Sequence, residues 1–175
     1  MAVEWVPYEL HPEIPKEGVP REAVLPAAYR QRAEAGMRQM AEEAGLRMAS
    51  HERLINSRPA LQAAEFARSV GRYDAMHTEL FRAYWDTGED VSSIPVLREV
   101  AARAGVDPDA MEAAVNADTY GDYLDARRQE AEDLMITGIP AHVIADRYLV
   151  MGAQPYDVFE RVMARLNVAK RSEAR

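Results

Sequence analysis

The spacing of hydrophobic residues divides the chain into a short extended start, a long helical middle and a mixed end. Residues 3–10 are rich in β-forming residues with partial alternation, which predicts one strand, and the proline-rich stretch 11–20 predicts a loop. From about residue 26 to residue 135 hydrophobic residues recur at helical spacing. Glycines, prolines and capping residues divide that stretch into about five or six predicted helices.

The pattern changes after residue 135. Residues 141–145 and 148–151 are two short hydrophobic runs separated by Asp146 and Arg147, which predicts a β-hairpin. The segment that follows, Gly152-Ala153-Gln154-Pro155, is typical of a helix start, and hydrophobic residues then recur at helical spacing to Leu166. These elements predict an α/β protein with few strands.

Composition and charge exclude several classes of function. The 29 acidic residues outnumber the 21 basic ones, for a formal charge of -8, which disfavours nucleic acid and anionic membranes as partners. No run of about 20 apolar residues predicts a membrane span, and we expect a cytoplasmic location. The sequence contains no cysteine, so it offers neither a dithiol nor a thiolate metal site. The four histidines show no metal-ligand spacing, and no metal site is predicted.

Several ordered motifs carry a family resemblance. The closing motifs are Thr137-Gly138-Ile139-Pro140, Asp146-Arg147-Tyr148 and Gly152-Ala153-Gln154-Pro155, and residues 4–13, 56–58 and 81–84 match earlier parts of the same pattern. Together these motifs resemble bacterial FrnE-type members of the DsbA family, which are related to 2-hydroxychromene-2-carboxylate isomerases. The resemblance covers nearly the whole chain.

The resemblance implies an incomplete thioredoxin-like fold with a large all-helical insert. Residues 1–20 and 136–170 would form the thioredoxin-like sheet and terminal helix, residues 21–135 the insert, and residues 171–175 a frayed tail. Nothing in this sequence corresponds to the family's first strand and Cys-x-x-Cys helix, a unit of about 30 residues. The sheet would then have unpaired edges, which a homodimer or a partner chain could cover.

The resemblance also implies a binding site without catalytic residues. The peptide bond between Ile139 and Pro140 would be cis, and the loop of Gly138, Ile139 and Pro140 would pair with an extended peptide or with glutathione. The free amides of Gly152, Ala153 and Gln154 could receive a carboxylate. A turn proline and an ordinary helix start are the alternative interpretations of these two segments. No cofactor is predicted apart from glutathione as a candidate.

Four further residues are candidates for the rim of a groove: Trp5, Asn56, Arg58 and His142. Three of them have a structural alternative. Trp5 could fill the core, Asn56 could cap the helix that follows it, and His142 could turn to solvent on a pleated strand.

Three functions remain open at this point. The first is a member of the DsbA-like thiol-disulfide oxidoreductase family that, without redox cysteines, is inactive in dithiol exchange by itself. The second is a glutathione-binding protein of the isomerase or transferase type. The third is a non-catalytic module that works as an oligomer.

Overall fold

The computed structural model describes residues 2–24 and 27–168, and the predicted frayed tail lies outside them. The described residues form two compact units that divide between Arg128 and Gln129, and this boundary falls within a helix. The strands are β1 (Val19–Pro20), β2 (Arg53–Leu54), β3 (Ala141–Ile144) and β4 (Tyr148–Met151). The helices are α1 (Arg21–Val24), α2 (Ala27–Glu43), α3 (Arg58–Ser69), α4 (Tyr73–Phe81), α5 (Ile94–Arg103), α6 (Pro108–Asn116), α7 (Gly121–Asp133) and α8 (Tyr156–Arg165), and a π-helical turn (Arg82–Thr87) extends α4.

The first unit is built around a helical core. Helices α3 to α6 pack through small and medium-sized side chains, and Met76, Leu97, Val100 and Met111 are completely buried. The start of α6 follows the capping rules, because Asp107 accepts hydrogen bonds from its first free amides, as the position before Pro108 predicts. At the starts of α3 and α5, by contrast, Ser57 and Ser93 make no side-chain cap hydrogen bond. The helical middle of the chain is therefore confirmed.

The strand predicted at residues 3–10 is wrong. Residues 2–9 have no regular secondary structure, and Pro7 has no N–H to give to a ladder. The segment is held by other means: the Trp5 carbonyl accepts a hydrogen bond of 2.7 Å from Arg68, and Glu9 is buried. Side-chain contacts therefore replace the expected strand pairing.

A short antiparallel ribbon interrupts the segment that was expected to be all-helical. Strands β1 and β2 pair Val19 with Leu54 and Pro20 with Arg53. Gly18 precedes the ribbon with a φ of +69°, and a Cβ at this position would lie 2.6 Å from the Leu54 carbonyl oxygen. Only glycine fits both the backbone angle and this close approach.

The second unit contains the predicted hairpin and terminal helix. Strands β3 and β4 pair from Ala141 opposite Met151 to Ile144 opposite Tyr148. The turn has positive φ at Ala145 and Asp146, which matches the twist of a tight hairpin. Helix α8 follows, with Pro155 at its N-cap. The hairpin and the helix are confirmed. No described helix is both long enough and apolar enough to cross a membrane.

Candidate functional site

A loop with a cis peptide bond leads into the hairpin. The bond between Ile139 and Pro140 is cis, and the side chain of Ile139 is 54% exposed. The Pro140 carbonyl accepts a hydrogen bond of 2.7 Å from the Gly152 amide, which extends the ladder by one pair. Among residues 2–24 and 27–168, the backbone N–H and C=O of Ile139 make no hydrogen bond. The loop therefore presents one free donor and one free acceptor on an exposed residue.

The start of α8 lies beside this loop because Gly152 joins the two. Gly152 has a φ of +76°, a left-handed conformation that turns the chain from β4 towards the helix. The Gly152 amide donates to the Pro140 carbonyl, whereas the amides of Ala153 and Gln154 have no backbone partner in the described part of the chain. The Gln154 side chain donates to the Met151 carbonyl at 2.8 Å and fixes the turn.

The N-terminus of α8 lacks a side-chain cap. Pro155 occupies the N-cap position and offers no side-chain oxygen, and the first amide with a partner is that of Val158, which bonds to the Pro155 carbonyl at 3.0 Å. The first amides of a helix attract anions because they are unsatisfied and carry the positive end of the helix dipole. A small anion could bind here, although Asp157 adds a negative charge to the first turn.

His142 packs against the terminal helix. Its ring lies 4.9 Å from the ring of Phe159, edge to face at 79°. It stands opposite Val150 on the ladder, on the hairpin face that also carries the buried Ile144. His142 is nevertheless exposed, so its ring contacts α8 at the surface of the second unit and does not belong to a buried core.

Asn56 and Arg58 lie together in the first unit, and both are engaged in structural contacts. The Asn56 side chain donates to the Ile14 carbonyl at 2.6 Å and accepts from the Arg58 amide at 2.9 Å. Arg58 Nη1 donates to Asp125 at 2.8 Å and to Glu9 at 3.0 Å. Hydrogen bonding to Asp125, followed by that to Glu9, raises the pKa of Arg58, so the guanidinium is always charged.

Trp5 belongs to a different cluster, which the sequence reasoning missed. Its ring lies 4.5 Å from that of His77, which in turn lies 4.5 Å from Phe81 and 5.7 Å from Tyr73. Arg68 stacks over Tyr73 at 3.7 Å. Burial lowers the pKa of His77, so its ring is neutral at pH 7. The spacing of Tyr73, His77 and Phe81 by four residues on one helix was the signal that could have revealed this cluster.

The candidate residues therefore fall into separate groups. The cis-proline loop, the α8 start and His142 belong to the second unit, and Trp5, Asn56 and Arg58 belong to the first.

A model of the DSBA-like thioredoxin domain matches residues 1–164. The chain belongs to this DsbA-like family.

Individual relatives agree with this assignment. A solved structure from Streptomyces coelicolor, named as a probable DsbA oxidoreductase, superposes with a TM-score of 0.79 at 27% identity, over 96% of this chain and 76% of that one. A candidate protein disulfide isomerase from Nitrosomonas europaea shares the fold, with a TM-score of 0.67 at 17% identity, over 82% of this chain and 76% of that one. The uncharacterized protein YwbO of Bacillus subtilis is 25% identical over 167 residues, which is 93% of this chain and 80% of YwbO.

The chemistry of this DsbA-like chain is limited by its residues. The family supports a thiol-disulfide oxidoreductase type of function, yet the chain has no cysteine. Within the described ranges, no group of three or more His, Asp or Glu side chains could hold a metal ion. What the second unit offers is backbone hydrogen bonding at Ile139 and an uncapped helix start.

Proposed function

We propose that this chain is a FrnE-type, DsbA-like protein that recognises an extended peptide at its cis-proline loop and performs no dithiol exchange with its own residues. The observation that carries the proposal is the free backbone N–H and C=O of Ile139, an exposed residue next to the hairpin. An extended peptide can satisfy both groups by pairing as an added strand. The lack of cysteine removes the redox step but leaves this backbone recognition intact.

The test is an NMR titration of the ¹⁵N-labelled chain with a capped, cysteine-free tetrapeptide rich in valine and threonine. Saturable shifts should appear at the amides of Gly138, Ile139 and Ala141, with a dissociation constant in the millimolar range. The variant Pro140→Ala should lose these shifts because it removes the ring that fixes the backbone φ next to Ile139.

The chain contains a matched control for that variant. Pro95 also follows an isoleucine, but it lies in the first turn of α5 in the other unit. Pro95→Ala should therefore respond to the peptide as the parent chain does. Equal responses of the two variants, or no shifts at residues 138–141 with about 5 mM peptide, would refute the proposal.

A second candidate function is glutathione binding, and the uncapped start of α8 favours it. The glycine carboxylate of glutathione would bind the free amides of Tyr156 and Asp157 while its backbone pairs with Ile139. Reduced glutathione should then shift the amides of Gln154 and Tyr156 as well as those of the loop. Glutathione ethyl ester lacks that charged carboxylate, so equal binding of the ester would exclude this mode while leaving peptide recognition intact.

A further inference from the structure

The hairpin leaves one edge of each of its strands without a neighbour. Strands β3 and β4 form a two-stranded sheet, so each strand pairs on one side only. The Pro140 carbonyl bonds to the Gly152 amide, and bonded pairs alternate with non-bonded pairs along an antiparallel ladder. The next bonded pair is therefore that of His142 with Val150.

Two residues of β3 have backbone groups on the open edge. Ala141 and Val143 fall in the non-bonded pairs, so their N–H and C=O groups point away from β4. Neither residue has another backbone partner in the described part of the chain. Ile139, with its free N–H and C=O, precedes Ala141 by two residues. Ile139, Ala141 and Val143 therefore present donors and acceptors at alternate positions, as pairing with an added strand requires.

The edge of β4 is less open than that of β3. Met151 also falls in a non-bonded pair, but its carbonyl already accepts a hydrogen bond of 2.8 Å from the Gln154 side chain. Edge strands in natural proteins are commonly protected by charged residues or by bulges. The ladder of β3 is continuous, and residues 134–145 contain no Asp, Glu, Lys or Arg. The edge of β3 is therefore both open and unprotected.

Apolar side chains cover the hairpin face beside this edge. Ala141, Val143, Leu149 and Met151 share that face because side chains alternate along a strand. Val143 and Leu149 lie directly opposite each other and are 46% and 41% exposed. The opposite face holds the buried residues of the hairpin and contacts α8. An added strand would extend the exposed apolar face if every second side chain were apolar.

We propose that the peptide pairs antiparallel with the edge of β3 from Ile139 to Val143 and has alternating apolar and polar residues. This pairing rests on the peptide recognition proposed above and adds the length, direction and pattern of the peptide. About five peptide residues span the edge. Antiparallel pairing places the apolar residues opposite Ala141 and Val143, where their own N–H and C=O groups bond to β3.

The experiment is hydrogen exchange of the ¹⁵N-labelled chain, followed by NMR, with the capped hexapeptide Val-Thr-Val-Thr-Val-Thr at about 5 mM. In the free chain the amides of Ala141 and Val143 should exchange faster than that of His142, which bonds within the ladder. With a dissociation constant of about 1 mM, the peptide should slow both by about sixfold. Shifts at residues 138–141 without slower exchange at Val143 would overturn the pairing along β3 while leaving peptide recognition in place. An absence of any shift would overturn both.

Methylation of the peptide nitrogens tests the direction and the pattern. Methyl groups on the three valine nitrogens remove the N–H groups that face β3, so affinity should fall by more than about tenfold. Methyl groups on the three threonine nitrogens point away from β3, so affinity should stay within about twofold. Equal affinities of the two methylated peptides, or a loss only with methylated threonines, would overturn the proposal.

The variant Val143→Lys tests the edge itself, because a lysine is one of the residues that protect edge strands from pairing. Affinity for the hexapeptide should fall by about fivefold, while slow exchange at His142 shows that the ladder is intact. Val70→Lys is the matched control, since Val70 is 52% exposed but lies in the first unit. Equal losses in the two variants would contradict the assignment.

A second copy of the chain is the competing occupant of this edge. Exchange in the free chain is therefore measured as the chain concentration is raised from about 0.05 to about 1 mM. The exchange rate at Val143 should not change if a peptide is the occupant. Slower exchange at Val143 with rising concentration would assign the edge to a second copy and overturn the proposal.

Discussion

Arg58 provides the sharpest test of how the first unit is held together. Its side chain is 25% exposed and ion-pairs with Glu9, whose side chain is only 5% exposed, at 3.0 Å. The same nitrogen reaches Asp125, which is 56% exposed, at 2.8 Å. A third and exposed partner, Asp118, lies 3.6 Å from Arg58 Nε. The acidic partners therefore differ mainly in burial, and burial decides how much each loses when the cation is removed.

We expect Arg58→Met to lower the free energy of unfolding by about 3 kcal/mol. Removing one member of a buried ion pair costs about 3 to 5 kcal/mol because the other charge stays buried without a partner, and the partial exposure of Arg58 places it at the lower end. Asp125→Asn should cost less than about 1 kcal/mol because the remaining pair with Glu9 is kept and the lost contact is exposed.

The assay is urea unfolding followed by circular dichroism, and the double variant Arg58→Met with Glu9→Gln is the decisive control. Removing the buried charge of Glu9 should recover about 1 to 2 kcal/mol of the loss, an interaction energy typical of residues in contact. A cost below about 1 kcal/mol for Arg58→Met, or no recovery in the double variant, would refute the reasoning.

Three further predictions concern the same unit. Asp107→Ala should cost about 1 kcal/mol in urea unfolding because it removes the side-chain cap of α6. Ser93→Ala is its control and should change little, since Ser93 makes no cap hydrogen bond. Leu97→Ala should cost about 2 to 5 kcal/mol because Leu97 is completely buried, whereas Leu46→Ala at an exposed site should stay within about 0.5 kcal/mol. Burial lowers the pKa of His77 below its unfolded value of about 6.5, so the folded state favours the neutral ring. The stability that this residue contributes is therefore complete above about pH 6.5 and is lost as the pH falls and the ring becomes protonated. The melting temperature should therefore drop less between pH 7.5 and 5 in His77→Phe than in the parent chain, and an unchanged slope would contradict this.

The elements with a strong local pattern could be predicted from the sequence. The hairpin and α8 followed from the change of hydrophobic period after residue 135, and the capping role of Asp107 followed from its place before a proline. Residues 3–10 show the limit of this reasoning. Their composition favours a strand, but a strand needs a neighbour, and the contacts that hold Trp5 come from residues far along the chain.

Ion pairs between residues far apart in the sequence could not be predicted either, because the local pattern does not show which distant residues meet. Arg58 lies 49 residues from Glu9 and 67 residues from Asp125, and nothing in the local pattern links them. Arg58 was therefore a candidate for binding a ligand, whereas its charge is used within the fold. A pocket beside His51 was missed for this reason as well, because its walls come from four separate segments: Arg21, α2, residues 48–54 and the π-helical turn.

The proposed recognition of a peptide through the backbone of Ile139 would explain why side-chain chemistry gave so little indication of the candidate site. Main-chain hydrogen bonds supply the affinity of an added strand, while the side chains along it set specificity. Such a site depends on Pro140, on the hairpin and on the turn at Gly152, and it places few demands on the side chain at position 139 itself. Ile139→Val should accordingly bind the same tetrapeptide within about twofold of the parent chain, whereas Pro140→Ala should not bind it. A large loss in Ile139→Val would mean that a side-chain pocket, and not the backbone, holds the peptide.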